Sequence, residues 1–210
     1  MKTLMIGMDG ASIDTFKRGW TPYIESLIQK GYQLELKEDL LSRGWVEIFT
    51  GKHAIDTGAS YDNPILNRSL DWTLKFNLEK IPGWGTEIKP IWQVLNERGY
   101  KVGIMNVPTT FPAPEVNGFF VSGGGGGAKA VQEATEELCY PKDIVNYLKS
   151  VGYIVDERME SLIFEKNLLT VEEVFSRFRK KNLKRTEAFI KLSKEKKVDF
   201  GFVVYKSSSV

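Results

Sequence analysis

Short apolar runs alternate with amphipathic helical segments along most of this 210-residue chain. Residues 2–8 form a nearly continuous apolar run, as expected of a strand buried on both faces in a parallel sheet. Residues 200–205 predict a second, central strand of the same kind. Further strands are predicted at residues 33–37, 101–107, 118–122 and 153–155. We therefore predict one α/β domain over residues 1–210, in which helices flank a mostly parallel sheet, with an irregular excursion at about 53–88.

Capping residues mark the expected helices. Thr21-Pro22 predicts a helix start, and Gly31 predicts its end in a left-handed conformation. Helices are also predicted at residues 43–50, 91–99 and 141–151. The longest, from Thr170 to about residue 197, begins with a capping-box pattern completed by Glu173. Its predicted buried stripe consists of Val171, Val174, Phe175, Phe178, Phe189 and Ile190.

Composition excludes several classes of protein. Cys139 is the only cysteine, which excludes an internal disulfide and a zinc cluster held by cysteines. His53 is the only histidine, which excludes a self-contained metal site of several histidine ligands. The net charge of +2 gives no electrostatic argument for a specific nucleic-acid partner. No apolar stretch predicts a membrane span or a secretory signal, so we expect a soluble, cytoplasmic protein.

Two sequence features suggest binding but also have structural explanations. The five glycines at 123–127 could cradle a phosphate, but no Lys-Ser/Thr follows them, and a connector is favoured. The long helix has basic residues that could meet RNA or a partner, but glutamates dilute them, and a solvated face is favoured. These basic residues are Arg177, Arg179, Lys180, Lys181, Lys184 and Arg185.

Candidate chemistry lies where predicted strands end, because sites in open α/β sheets form outside the carboxyl ends of the strands. Asp9 directly follows the first strand, where a rigid backbone could present its carboxylate to a hard cation. The alternative is that Asp9 only caps a turn with Gly10. Position alone leaves both open.

Ser42 follows the second predicted strand and begins a helix. It could simply cap that helix, or its hydroxyl could be a nucleophile activated by a metal. Arg43 could then grip phosphate oxygens. His53 has no serine or cysteine at a recognisable triad spacing, so we expect it at the surface or behind a site.

Several short segments, in this order, resemble the amino-terminal half of the type I phosphodiesterase/nucleotide pyrophosphatase family of the alkaline phosphatase superfamily. They are MIGMDG (5–10), TPYIESL (21–27), FTGKH (49–53), DTG (56–58), IWQVL (91–95), NVPTTFP (106–112), VSG (121–123), YP (140–141) and DFGFVVY (199–205).

This resemblance implies an alkaline-phosphatase-like core, incomplete at its carboxyl end, and a metal-dependent phosphoester or phosphodiester hydrolase. In the family, two divalent cations, commonly zinc, flank a Thr or Ser nucleophile. By position, Asp9 would be the first metal ligand. Ser42 and Arg43, the candidates from the residues themselves, would be the nucleophile and the substrate-binding residue. The implied substrate is a phosphorylated small molecule or a nucleotide-like compound.

The chain departs from the family pattern at three places. The usual nucleophile position falls on Leu41, one residue before Ser42, and Thr57-Gly58 stands where the family often has His-Gly. The remaining family ligands follow a strand like residues 200–205. Two hypotheses stay open: a hydrolase completed by further ligands, or a non-catalytic binding or assembly module that forms a homo-oligomer through an exposed sheet edge.

Overall fold

The computed structural model describes residues 1–35, 43–60, 78–123, 131–157 and 170–206. The strands are β1 Thr3–Met8, β2 Val102–Met105, β3 Gly118–Val121, β4 Val131–Glu133, β5 Cys139–Tyr140, β6 Ile154–Glu157 and β7 Phe200–Tyr205. The α-helices in these ranges are α1 Pro22–Lys30, α2 Gly44–Thr50, α3 Ala54–Thr57, α4 Ile91–Glu97, α5 Ile144–Ser150 and α6 Val171–Glu195.

Five of these strands form one sheet in the order β1-β7-β2-β3-β5. The first four are parallel, and β5 runs antiparallel to β3. Thr3 of β1 and Val102 of β2 both pair with Phe200, which places β7 between them. The predicted α/β class with a mostly parallel sheet is confirmed, and so is the inner position of the strand at residues 200–205.

Apolar side chains cover both faces of the sheet. On one face, Trp92 of α4 lies between Phe49 of α2 and Phe120 of β3, with ring-centroid distances of 4.8 and 5.2 Å. On the other face, α5 and α6 pack against the opposite sides of the same strands, and Phe119 meets Phe189 edge to face at 6.0 Å. Burial of these aromatic rings stabilises the fold by about 2–3 kcal/mol each.

The prediction that β1 is buried on both faces is wrong. Its odd-numbered residues Met5 and Gly7 face α2, but Leu4, Ile6 and Met8 are 48%, 51% and 38% exposed. Within the described ranges, β1 is an edge strand paired with β7 alone, and the face that carries these three side chains is open to solvent. An apolar run therefore identified the strand but not its place in the sheet.

Two further predictions about strands need correction. Residues 33–35 have no regular structure, and 36–37 lie outside the described residues. The strand predicted at 153–155 exists as β6, but it pairs antiparallel with β4 in a separate two-stranded ribbon. In the excursion at 53–88, the described parts hold α3 and a short 3₁₀ turn at Leu78–Lys80.

The helix predictions are accurate in extent and less accurate in detail. The Thr170–Glu173 capping box is present, with both of its reciprocal hydrogen bonds. Gly31 ends α1 in an extended conformation, at φ −107°, and not in a left-handed one.

The buried stripe of α6 also differs from the prediction. Val171, Phe175 and Ile190 are exposed, while Lys181 and Arg185 are buried. The buried residues of α6 are Val174, Phe178, Lys181, Arg185, Ala188, Phe189, Leu192 and Ser193.

Candidate active site

Asp9 lies at the carboxyl end of β1, as predicted. Its backbone N–H donates to the carbonyl of Tyr205 at 2.9 Å, which continues the β1–β7 ladder by one step. Gly10 follows in a left-handed conformation at φ 74°, so the chain turns sharply after the carboxylate. Asp9 is half-buried, and the paired strand ends fix its backbone.

The first turn of α2 packs against the carboxyl end of β1. The indole Nε1 of Trp45 donates to Asp9 Oδ1 at 3.3 Å. Gly7 permits this approach, because a Cβ at that position would lie 2.6 Å from the indole Cη2 of Trp45. The beginning of α2 and the Asp9 carboxylate therefore share one corner of the sheet.

Ser42 lies outside the described residues, immediately before this corner. Arg43, the next residue, is described and is only 8% exposed. Its backbone N–H donates to the carbonyl of Ala59 at 2.9 Å, which ties the start of α2 to the segment after α3. The structure thus brings the segment that begins at Arg43 to the same corner as Asp9.

His53 lies at the protein surface, in accordance with its predicted place. Its side chain is 68% exposed, and Nδ1 is 3.4 Å from Oε1 of Glu47. The same carboxylate oxygen accepts the backbone N–H of Ala54 at 2.9 Å. Glu47 therefore joins α2 to α3, and His53 takes part in that connection.

The described residues do not complete a metal centre. Within the described ranges, no three His, Cys, Asp or Glu side chains come together in a way that could hold a metal ion. Asp9 is a suitable single oxygen ligand, since its carboxylate is held at a strand end. One carboxylate does not make a two-cation site, so no catalytic step is assigned to a metal from these residues.

A buried polar network that the sequence patterns did not predict lies at the carboxyl ends of β2 and β7. Arg185 is fully buried, and its guanidinium donates to the carbonyls of Val204 at 3.0 Å and Val155 at 2.9 Å. Asn106 also donates to the Val155 carbonyl, at 2.7 Å, and accepts a hydrogen bond from the Tyr153 hydroxyl. Burial raises the pKa of that phenol, so it stays protonated at neutral pH.

This network joins the main sheet to the β4–β6 ribbon, because Val204 belongs to β7 and Val155 to β6. A sequence signal for it did exist. Arg185 follows Phe178 by seven positions and Lys181 by four, a spacing that places all three on one helix face. The prediction of a solvated basic face, which includes Arg185 because of its charge, is wrong for this residue, since Arg185 is fully buried.

Gly123 is the one described residue of the five-glycine run. The ammonium group of Lys206 donates to its carbonyl at 3.0 Å and lies 3.5 Å from the carboxylate of Asp156. The two interpretations of the glycine run, a phosphate-binding loop or a connector, depend on residues 124–127, which lie outside the described ranges. The described end of the run is held by a lysine that follows β7.

No helix in the described ranges is both long enough and apolar enough to cross a membrane.

Comparison with known proteins agrees with the resemblance found in the sequence. The family model for type I phosphodiesterase / nucleotide pyrophosphatase matches residues 3–208, nearly the whole chain. No curated protein and no solved structure matches the chain. The family comprises phosphodiesterase- and pyrophosphatase-type hydrolases, generally metal-dependent, whose substrates are phosphorylated or nucleotide-like. The chain belongs to the type I phosphodiesterase/nucleotide pyrophosphatase family.

Proposed function

We propose that this protein is a metal-dependent phosphoester or phosphodiester hydrolase in which Asp9 is a metal ligand, Ser42 the nucleophile and Arg43 a substrate-binding residue. The observation that carries the proposal is the hydrogen bond from Trp45 Nε1 to Asp9 Oδ1 at 3.3 Å. It holds the carboxyl end of β1 against the first turn of α2. Ser42 precedes Trp45 by only three positions, so the proposed nucleophile belongs to the chain segment that leads into this corner.

The cation is expected to be zinc, and when bound it would act as a Lewis acid toward a phosphoryl oxygen. Asp9 is the described residue that suits this role. Its backbone is anchored to Tyr205, and its side chain accepts a hydrogen bond from an indole N–H. Carboxylates that ligate metals are commonly oriented by such hydrogen bonds from neighbouring groups. The proposal requires further ligands beyond the described residues.

The proposed substrates are phosphorylated small molecules or nucleotide-like compounds, without a specific nucleic-acid partner. The proposed location is the cytoplasm.

Metal dependence is tested by the hydrolysis of nitrophenyl phosphate and bis(nitrophenyl) phosphate. We expect a chelator to abolish hydrolysis and zinc to restore it. Asp9→Asn removes the ligand charge but keeps the shape, and it should raise the zinc concentration needed for half-maximal activity by about 100-fold.

Asp14→Asn is the matched control, because Asp14 is an exposed carboxylate five positions away, and its zinc requirement should not change. Hydrolysis that survives the chelator would contradict metal dependence. An unchanged zinc requirement in Asp9→Asn would contradict the ligand assignment.

A second candidate function is a non-catalytic assembly module, and the exposure of β1 favours it. The apolar row Leu4, Ile6 and Met8 lies on an edge strand that, within the described ranges, pairs with β7 alone. An unpaired strand edge with apolar side chains invites pairing with another chain. The proposed occupant is β1 of a second copy.

The assembly proposal predicts that the protein is a dimer at micromolar concentration and that Ile6→Lys is monomeric, because the substitution places a charge in the centre of the apolar row. Sedimentation equilibrium measures this. Ile55→Lys is the control, since Ile55 is 92% exposed on α3 and should leave the dimer intact. A monomeric wild-type protein would overturn the proposal.

A further inference from the structure

One residue in the loop after β2 has a backbone conformation that its side chain disfavours. Thr109 is left-handed, at φ 65°, where β-branched residues are rare because Cβ crowds the following carbonyl oxygen. It follows Pro108 at the centre of a turn, and a left-handed residue after proline in a turn is normally glycine. A threonine at this place therefore carries strain that a glycine would relieve.

The other left-handed residues that are not glycine have a local explanation. Among the described residues these are Asn106 and Lys197, at φ 61° and 53°. Asparagine tolerates this conformation, and the buried Asn106 side chain is hydrogen-bonded to Val155 and Tyr153. Lys197 directly follows the C-cap of α6, where helices commonly end in a left-handed residue. Thr109 has neither explanation.

The loop around Thr109 is held firmly, but not by the Thr109 side chain. The buried Thr110 hydroxyl donates to the Val107 carbonyl at 2.7 Å, and the N–H of Gly123 donates to the same carbonyl at 3.0 Å. Thr109 itself is half-buried. Within the described ranges, its hydroxyl makes one hydrogen bond, to the carbonyl of the adjacent Pro108 at 2.5 Å. The strain is therefore maintained by the neighbours, while the strained side chain binds nothing beyond its own turn.

This loop lies at the same edge of the sheet as Asp9. β2 ends at Met105, which pairs with Val203 of β7, and the Asp9 N–H donates to Tyr205 at the end of β7. Because β1 and β2 flank β7, their ends are two strand spacings apart, about 10 Å. Sites in open α/β sheets form outside this edge. Thr109 therefore belongs to a loop that borders the proposed phosphoryl site.

We propose that Thr109 is a substrate-binding residue whose hydroxyl donates a hydrogen bond to a phosphoryl oxygen of the bound ester. The inference rests on the proposed hydrolysis at the Asp9 corner. Strained residues persist where their surroundings over-determine them, and they concentrate at ligand sites. A phosphoryl oxygen is a strong, charged acceptor, and rotation of the side chain releases the hydroxyl from the Pro108 carbonyl to meet it. Glycine would suit the backbone better but would leave no donor.

Two substitutions test the hydroxyl without changing the rest of the residue greatly. Thr109→Val keeps the branched shape but has no donor, and Thr109→Ser keeps the donor. In hydrolysis of bis(nitrophenyl) phosphate at saturating zinc, Thr109→Val should raise KM about 10- to 100-fold and leave kcat unchanged, as expected when a hydrogen bond to a charged group is lost from ground and transition states alike. Thr109→Ser should keep KM within about 3-fold of the wild-type value.

A third substitution tests the strain. Thr109→Gly should raise KM as Thr109→Val does, yet raise the midpoint of thermal unfolding by about 1–4 °C, because relief of the strain exceeds the extra entropy of glycine in the unfolded chain. Lys197→Gly is the matched control: it also replaces a left-handed residue, so it should raise the midpoint and leave KM unchanged. An unchanged KM in Thr109→Val, a KM in Thr109→Ser as high as in Thr109→Val, or a lower unfolding midpoint in Thr109→Gly would overturn the proposal.

Failure of the proposed hydrolysis is recognised separately, because the wild-type protein would then cleave neither nitrophenyl ester. In that case the same variants are compared through the binding of inorganic phosphate in the presence of zinc, followed by phosphorus NMR, which needs no turnover. Weaker phosphate binding by Thr109→Val than by Thr109→Ser would support the role of the hydroxyl. Equal binding by Thr109→Val and the wild-type protein, or no binding by the wild-type protein, would overturn it.

Discussion

Replacing Ser42 by alanine is expected to lower kcat/KM for phosphate ester hydrolysis by about 10³-fold or more. The reason is chemical: the proposed reaction needs an alcohol oxygen to attack phosphorus, and alanine has none. Ser42→Thr should retain measurable activity, since threonine carries the same hydroxyl and the family uses either residue. Hydrolysis of bis(nitrophenyl) phosphate, followed at saturating zinc, measures both effects.

Ser26→Ala is the control for this experiment. The Ser26 hydroxyl donates to the Tyr23 carbonyl at 2.8 Å on the exposed surface of α1, so its loss should not affect hydrolysis. Circular dichroism should show the same fold for all three variants. Full activity in Ser42→Ala would refute the nucleophile assignment, and the adjacent Leu41 could not replace it because it has no hydroxyl.

Gly118→Ala is expected to cost about 3–5 kcal/mol of the free energy of unfolding. Gly118 begins β3 at φ +137°, and a Cβ there would lie 1.9 Å from the backbone carbonyl oxygen of Val102. The neighbouring strand cannot move aside without breaking its pairing on both sides. Backbone strain and overpacking each contribute about 1–3 kcal/mol. Urea denaturation followed by circular dichroism measures the loss.

Gly99→Ala separates the clash from the backbone strain. Gly99 is also left-handed, at φ +82°, but nothing lies within 4 Å of a Cβ added there. We expect a loss of only about 1–2 kcal/mol, the cost of the backbone conformation alone. Equal losses in the two variants would show that the approach of β3 to β2 is not tight.

Local signals predicted the elements well, because their causes lie within a few residues. The Thr170–Glu173 capping box is an interaction across three positions, and it is present as predicted. The apolar run at residues 200–205 predicted a central strand, and β7 has a paired strand on each side. Thr21 likewise directly precedes α1 and Pro22 is its first residue, although the Thr21 side chain makes no capping hydrogen bond.

The position of each element within the fold was harder to predict, because it depends on contacts between distant residues. The exposure of Ile6 depends on what packs against that face of β1, which no local pattern encodes. In α6, burial of Arg185 depends on two backbone carbonyls from separate strands that accept its hydrogen bonds. Helical periodicity was informative there, and the residue's charge was misleading.

The candidate site shows the same division. Asp9 was predicted at the carboxyl end of β1 because a short apolar run ends at it. Its contact with Trp45 spans 36 positions and relies on the missing side chain of Gly7, so sequence distance gave no indication of it. The roles of Ser42 and Arg43 rest on their place at the start of a predicted helix, one residue beyond the family position, and they stay predictions.

The pairing of β1 with β7 sets the order in which the protein can assemble during synthesis. Thr3 pairs with Phe200, so the first strand has to remain without this neighbour until almost 200 further residues have been added. At about 5–20 residues per second, that delay is roughly 10–40 s. Throughout it, the backbone groups of β1 that later pair with β7 are accessible to chaperones and to other nascent chains. An unpaired strand edge invites pairing with other chains, so β1 is open to such pairing until β7 has been synthesised.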